Sequence, residues 1–265
     1  HSSTALEAQG QPHQHQSLAY SLDGGQHWQK HAGNPVLQSP GLKDFRDPKV
    51  FWHAPTARWV MSLACGDHIA FYSAPNLRDW TLESRFGHTA GAHGGVWECP
   101  DLLPFKTPSG EDKFVLLVSI NPGGPQKGSA TQYFIGNFEN GTFTPDDTMI
   151  RWIDYGPDNY AGVTWSDVPK QDGRHLFIGW MSNWQYANKV PTQRWRSAMT
   201  IARQLELEKR ADSYIVSSQP VTNLSSLASE AKMVRNSHVK AGQAVELVKL
   251  TKAAELGEHI KLELD

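Results

Sequence analysis

Two cysteines, Cys65 and Cys99, are all that 265 residues contain. A disulfide framework is therefore excluded, and their separation in sequence does not show whether their Cβ atoms meet, so the redox compartment stays open. Excess charge is missing too. The 25 basic and 27 acidic residues are scattered along the chain, which leaves no basic stripe to follow a phosphate backbone and excludes nucleic acid as a partner. No apolar run approaches the roughly 20 residues that cross a bilayer, so no membrane span is expected. The start, His1 to Gln16, has neither the basic region nor the apolar region of an export leader. Metal-site spacings are absent as well: His13 with His15 and His88 with His93 are close pairs, yet no His-Glu-x-x-His, Cys-x-x-Cys or carboxylate loop occurs. Neither metal nor cofactor is expected. The run Gly123 to Ser129 has the wrong spacing for a phosphate loop, and no helical pattern follows it.

What is present points to strands and turns. The chain carries 10 Trp, 7 Tyr and 22 Gly, and β-branched or aromatic runs recur from Ser17 to Leu207 without a long helical period. Those runs are Ser17 to Ser21, Val50 to Trp52, Trp59 to Ala64, Ile69 to Ser73, Phe114 to Ile120, Gln132 to Phe138, His175 to Met181 and Ala198 to Ile201. An all-β fold follows, with sandwich, barrel and propeller as the options. An internal repeat favours the propeller. Tyr20-Ser21 leads through a turn to Trp28, and Tyr72-Ser73 does the same to Trp80, as expected of four-stranded blades. A third, looser copy runs from Tyr133 to Phe138 through the turn Glu139-Asn140-Gly141. The repeat is a hairpin device, and its Ser-x-Asp-x-Gly-x-x-Trp form in the first copy marks a fold, not a reaction.

After Leu207 charged and small residues dominate, with a short helix expected near Leu224 to Val234 and a half-buried strand where Ile260, Leu262 and Leu264 alternate. The expected division is a domain over 1–207, then a linker and the opening of a second domain over 208–265.

Two acidic segments stand out. In Phe45-Arg46-Asp47-Pro48 the proline holds Asp47 extended at a strand entrance, beside a fixed positive charge that keeps a carboxylate ionised. In Gly94-Gly95-Val96-Trp97-Glu98-Cys99-Pro100-Asp101 a carboxyl between two poorly hydrating side chains tends to keep its proton, as a general acid must. The glycines permit close approach of backbone or substrate. Each segment alone also fits a bland role, a structural ion pair for the first and a solvent-facing strand end for the second. Asp154 to Ala161 gathers two acids and two tyrosines around a Gly-Pro turn, and Gly179 to Tyr186 is dense in aromatics and amides. Aromatic faces stack on sugar rings while amides meet hydroxyls, so the latter run suits a carbohydrate pocket. Strand alternation assigns Trp180 to packing.

Taken in order, several stretches resemble glycoside hydrolase family 32, the invertases, inulinases and levanases. They include Asn34-Pro35-Val36-Leu37, Phe45-Arg46-Asp47-Pro48, Gly94 to Pro100, Ile120 to Pro125, Tyr155 to Ala161, Gly179 to Tyr186 and Trp195 to Met199, and the resemblance covers about Gln16 to Gln219. It implies a five-bladed β-propeller, with the first blade incomplete in this chain, followed by the start of a β-sandwich. It implies retaining cleavage of β-fructofuranosyl linkages in fructans or sucrose, and a protein that works outside the cell or in the periplasm. By the same resemblance Glu98 is the general acid/base and Asp47 stabilises the transition state through fructose hydroxyls. Arg46, Asp158 and Trp184 are substrate contacts. The family's nucleophile segment, Trp-Met-Asn-Asp-Pro-Asn-Gly, has no counterpart here, so the chain is expected to enter partway through the first blade and to be inactive alone. A catalytically silent fructan-binding propeller is the alternative, and a related propeller acting on arabinose or xylose a third reading.

Overall fold

A strand in which neighbouring residues are all apolar has to be covered on both faces, because alternate side chains point to opposite sides. Such strands make up the middle of this protein. A computed structural model describes residues 2–6 and 12–227. Two short sheets come first, β1 (Ser2–Leu6) with β2 (Pro12–Gln16) and β3 (Ala19–Tyr20) with β4 (Gln29–Lys30). A four-stranded sheet follows in chain order, β5 (Arg46–His53), β6 (Arg58–Ala64), β7 (Ile69–Ala74) and β8 (Thr81–Phe86). The next contains β9 (Val96–Lys106), β10 (Asp112–Asn121), β11 (Ala130–Glu139) and β12 (Thr142–Pro145), with β13 (Arg151–Trp152) also paired to β11. The last contains β14 (Tyr160–Thr164), β15 (His175–Trp180), β16 (Arg203–Arg210) and β17 (Ser213–Pro220).

All pairings are antiparallel. The first strands of the three larger sheets adjoin one another, β5 against β9 and β9 against β14, as inner strands of successive blades do. Period two explains how each sheet serves two neighbours. On β10, Leu116, Val118 and Ile120 enter a core with Val60, Phe71, Trp97 and Phe134. The intervening Val115 and Leu117 enter a second core with Leu103, Ile135, Phe177 and Leu205. On β6 the alternation continues outward, with Met61 and Leu63 joining Phe45 and Tyr72. Each such side chain contributes roughly 1.5–3 kcal/mol on burial, so this layered arrangement holds the blades together without disulfides. Both cysteines are free.

The repeat noted in the sequence forms hairpin turns. In the first copy Ser21 Oγ accepts the Gly25 amide at 2.9 Å, and the Asp23 carboxylate accepts the His27 amide at 2.9 Å. That amide bond, with help from Ser21, draws the exposed Asp23 carboxyl down to about 2. Three stretches differ from expectation. β9 was not among the expected strands, because Pro100, Pro104, Glu98 and Asp101 interrupt its apolar pattern. Ala198 to Ile201 forms an isolated bridge, Trp180 with Met199, and no strand. The composition change after Leu207 falls inside β16, whose Leu205 and Leu207 are buried while Glu206 faces water. The strands of the last blade therefore run to Pro220, within a compact unit His1–Val221. Of the helix expected near 224–234, the described part is a short 3-10 helix, Thr222–Leu227. The strand expected around Ile260 lies outside the described residues.

Candidate active site

Three inner strands carry the same irregularity. Between Arg46 and Lys49 on β5, between Glu98 and Asp101 on β9, and between Tyr160 and Val163 on β14, the ladder gains an extra residue. The residue after Arg46, Glu98 and Tyr160 sits in left-handed backbone each time: Asp47 at φ 60°, where extended geometry was expected ahead of Pro48, Cys99 at 48° and Ala161 at 51°. A β-bulge re-aims the side chain beside it and sharpens the local twist. Non-glycine residues in that region are strained by about 1–3 kcal/mol and cluster where function requires an unusual direction. The three preceding side chains are thereby turned toward one another.

They meet at Glu98. Arg46 donates from Nε at 3.1 Å and from Nη2 at 2.8 Å to Oε1 of Glu98, and the Tyr160 hydroxyl donates to Oε2. Arg46 also donates from Nη1 to Asp44 and, at 3.2 Å, to Gln14 Oε1. Its side chain is 20% exposed and that of Glu98 22%, so the pair lies at the surface of the cluster and not in the core. Burial opposes the Arg46 charge, but hydrogen bonds and charge from Asp44 and Glu98 outweigh it and raise the guanidinium above its ordinary value. Tyr160 is held as the phenol, its acidity weakened first by burial and then by the Glu98 charge.

Asp47 joins from the other side. Its Oδ2 accepts the Cys99 amide at 3.1 Å, which places the Asp47 carboxyl against the residue following Glu98. Burial, then the Asp47 charge, pushes the Cys99 thiol far up. Cys99 is thus no thiolate nucleophile. Close approach in this region depends on Gly95, where an added Cβ would sit 1.8 Å from the Pro122 carbonyl oxygen.

Beneath the cluster lies a second tie among the same strands. Asp101, fully buried, accepts the Thr164 amide at 2.8 Å and the Thr164 hydroxyl at 2.7 Å, and Lys49 stands 3.3 Å away. Lys49 in turn donates to the Thr164 carbonyl at 2.7 Å. Lys49 and Asp101 are each three positions beyond Arg46 and Glu98. The bulges thus set two layers of polar contacts at once.

The aromatic wall comes from the segment after β15. Trp184, half exposed, lies with its ring centroid 5.0 Å from that of Trp180, and Trp180 lies 6.3 Å from Tyr160. Trp180 packs as alternation suggests, but on site residues. Asn183, fully buried, fixes this segment by accepting the Ser129 amide at 3.2 Å and donating to the Pro157 carbonyl at 2.8 Å.

The structure brings Glu98, Asp47 and Arg46 together and sets Trp184 beside Trp180, which reaches Tyr160. Asp158 stands exposed on its loop, and none of the described hydrogen bonds links it to Glu98 or Asp47. Tyr160, Asp44, Lys49 and Asp101 carry no role in the sequence reading.

The profile of the "Glycosyl hydrolases family 32 N-terminal domain" matches residues 2–220. The chain belongs to glycosyl hydrolase family 32. It is 49% identical over 228 residues to the levanase of Bacillus subtilis (strain 168), covering 84% of this chain and 34% of that protein. With the extracellular exo-inulinase of Meyerozyma guilliermondii it shares 46% identity over 200 residues, 74% of this chain and 38% of the other. A solved fructofuranosidase from Schwanniomyces occidentalis, complexed with fructose, superposes with a TM-score of 0.72 at 39% identity, covering 79% of this chain and 42% of that one. The chain thus spans less than half the length of these relatives. Its sheets are blades of the five-bladed family 32 propeller.

Proposed function

We propose that the family 32 site seen here receives a terminal β-fructofuranosyl unit of a fructan or of sucrose, and that the protein cleaves its linkage with retention. The observation that supports this reading is the convergence of Glu98, Arg46, Tyr160 and Asp47 from three bulged inner strands. Glu98 delivers a proton to the leaving oxygen as the glycosidic bond breaks, then takes a proton from the water that releases fructose. Asp47 accepts hydroxyl hydrogens of the ring and offsets the positive charge that develops at the anomeric carbon. Arg46 contacts the sugar at the rim of the cluster, Trp184 offers a face for stacking, and Asp158 extends the polar lining on the approach. The carboxylate that attacks the anomeric carbon comes from outside this cluster. No Trp-Met-Asn-Asp-Pro-Asn-Gly segment occurs among the 265 residues, so the chain alone binds fructose oligosaccharides and releases none. By likeness to an exo-inulinase named as extracellular, the protein acts outside the cell.

Fructose release from levan, inulin and sucrose by the full-length protein tests this, with Glu98→Gln beside the wild type. Release falls about 10²–10⁴-fold when the proton donor is removed. Equal release by Glu98→Gln would overturn the assignment, and tight binding without any release by the full-length wild type would favour a silent fructan-binding propeller.

A further inference from the structure

The fold assembles a cluster that local sequence spacing hides. Asp67 and His68 occupy the turn between β6 and β7, His88 lies in the connection from β8 to β9, and one ligand atom of each falls within 4.8 Å of the other two. The two imidazole rings face each other with centroids 4.2 Å apart and planes tilted by 32°. His68 has one nitrogen, Nδ1, 3.1 Å from Asp67 Oδ1. Its other nitrogen, Nε2, is buried and has no hydrogen-bond partner, although the His68 side chain is only 9% exposed. A buried polar atom without a partner is disfavoured by about 1–3 kcal/mol, and a cation bound among the three side chains would draw on an imidazole that the fold leaves half satisfied.

We propose that Asp67, His68 and His88 form a binding site for a divalent first-row transition metal of the Zn²⁺ class. Two imidazoles and one carboxylate suit zinc, nickel or copper and not calcium, which takes oxygen ligands. Tetrahedral coordination at about 2.0–2.1 Å sets ligand atoms roughly 3.4 Å apart. The cluster therefore has to contract by about 1.4 Å at most, and Asp67 and His88, both exposed, have room to swing inward. The exposed side leaves a fourth position for water, and a cleft of about 400 Å³ lined by Asp44, Cys65, Gly66, Asp67, His68 and Gly95 gives access.

The site has a structural consequence. The Trp97 amide already donates to the Gly66 carbonyl at 2.6 Å. On the other side, Gly87 lies against the Trp97 ring, where an added Cβ would come within 2.3 Å. A metal held by the residues next to Gly66 and Gly87 closes a clasp around Trp97, the residue before Glu98.

Isothermal titration of the 265-residue chain with Zn²⁺ tests the site. One equivalent binds, and the melting temperature rises by roughly 5–10 °C at a hundredfold excess over the dissociation constant. His88→Ala and Asp67→Asn, both at exposed positions, each weaken binding by at least about tenfold. His27→Ala, which removes the exposed His27–Asp23 pair, leaves it unchanged. No Zn²⁺ binding by the wild type, or equal affinity in His88→Ala, would overturn the proposal.

Discussion

Glu98 has a donor committed to each carboxylate oxygen, Arg46 to Oε1 and Tyr160 to Oε2. A carboxyl gripped at both ends cannot rotate, which is the positional demand on a group that must hand over a proton and later take one back. Tyr160→Phe keeps the ring against Trp180 and deletes only the hydroxyl. A hydrogen bond to a charged group contributes about 1.5–3 kcal/mol, so kcat for fructose release should fall roughly 10–100-fold while KM holds. Steady-state kinetics of the full-length variant decide it: a rise in KM at constant kcat would make Tyr160 a substrate contact instead. Glu98, Asp47 and Arg46 were legible in the sequence because proline, glycine and charged neighbours announce them within a few residues. Tyr160 was not, since its partner lies 62 positions away and nothing in its own segment sets it apart from Tyr155. Asp158 stands exposed on its loop, and its place as a substrate contact rests on the resemblance alone.

At the scale of the element, the bulges on β5, β9 and β14 decide where side chains point. Ordinary pleating would send Arg46 and Lys49, three apart, to opposite faces. The added residue lets both positions face the adjoining blade, and Glu98 and Asp101 behave alike. The strain of this device is testable at Ala161, half-buried at φ 51°. Ala161→Gly relieves a left-handed Cβ contact of about 1–2 kcal/mol and loses roughly 0.4–1 kcal/mol through the freer unfolded chain, so stability should stay level or rise. Ala161→Val adds a branched Cβ and should lower stability by at least about 1 kcal/mol. Urea unfolding followed by tryptophan fluorescence gives both values, and an equal loss in the two variants would show that packing, not backbone strain, rules the position. Continuous apolar runs made β6, β7, β10 and β11 readable. The same criterion concealed β9, where the prolines and acids that build the site break the pattern, and β16, where one wet face resembles a linker.

Among the described residues, blades are joined mainly by apolar side chains, and the tie of Lys49, Asp101 and Thr164 is the deeper of two polar ties among β5, β9 and β14. Asp101 is fully buried and Lys49 has an 18% exposed side chain, so neither charge has full access to water. One Asp101 oxygen, Oδ1, has no hydrogen-bond partner, which makes the carboxylate dependent on Thr164 and Lys49 at Oδ2. Breaking a buried pair by removing one member leaves the other uncompensated, at about 3–5 kcal/mol, whereas removing both is far milder. Lys49→Met and Asp101→Asn should each destabilise the chain by about that amount in urea unfolding. The double variant should lose no more than either single one. Thr164 retains an acceptor in the asparagine carbonyl, and the methionine fills the space of the lysine stem. Single-variant losses that instead add to within about 0.5 kcal/mol would mean that the two charges act independently. The joining of the three blades would then rest on the apolar layers alone, and the bulges would serve only the upper, solvent-facing tier around Glu98.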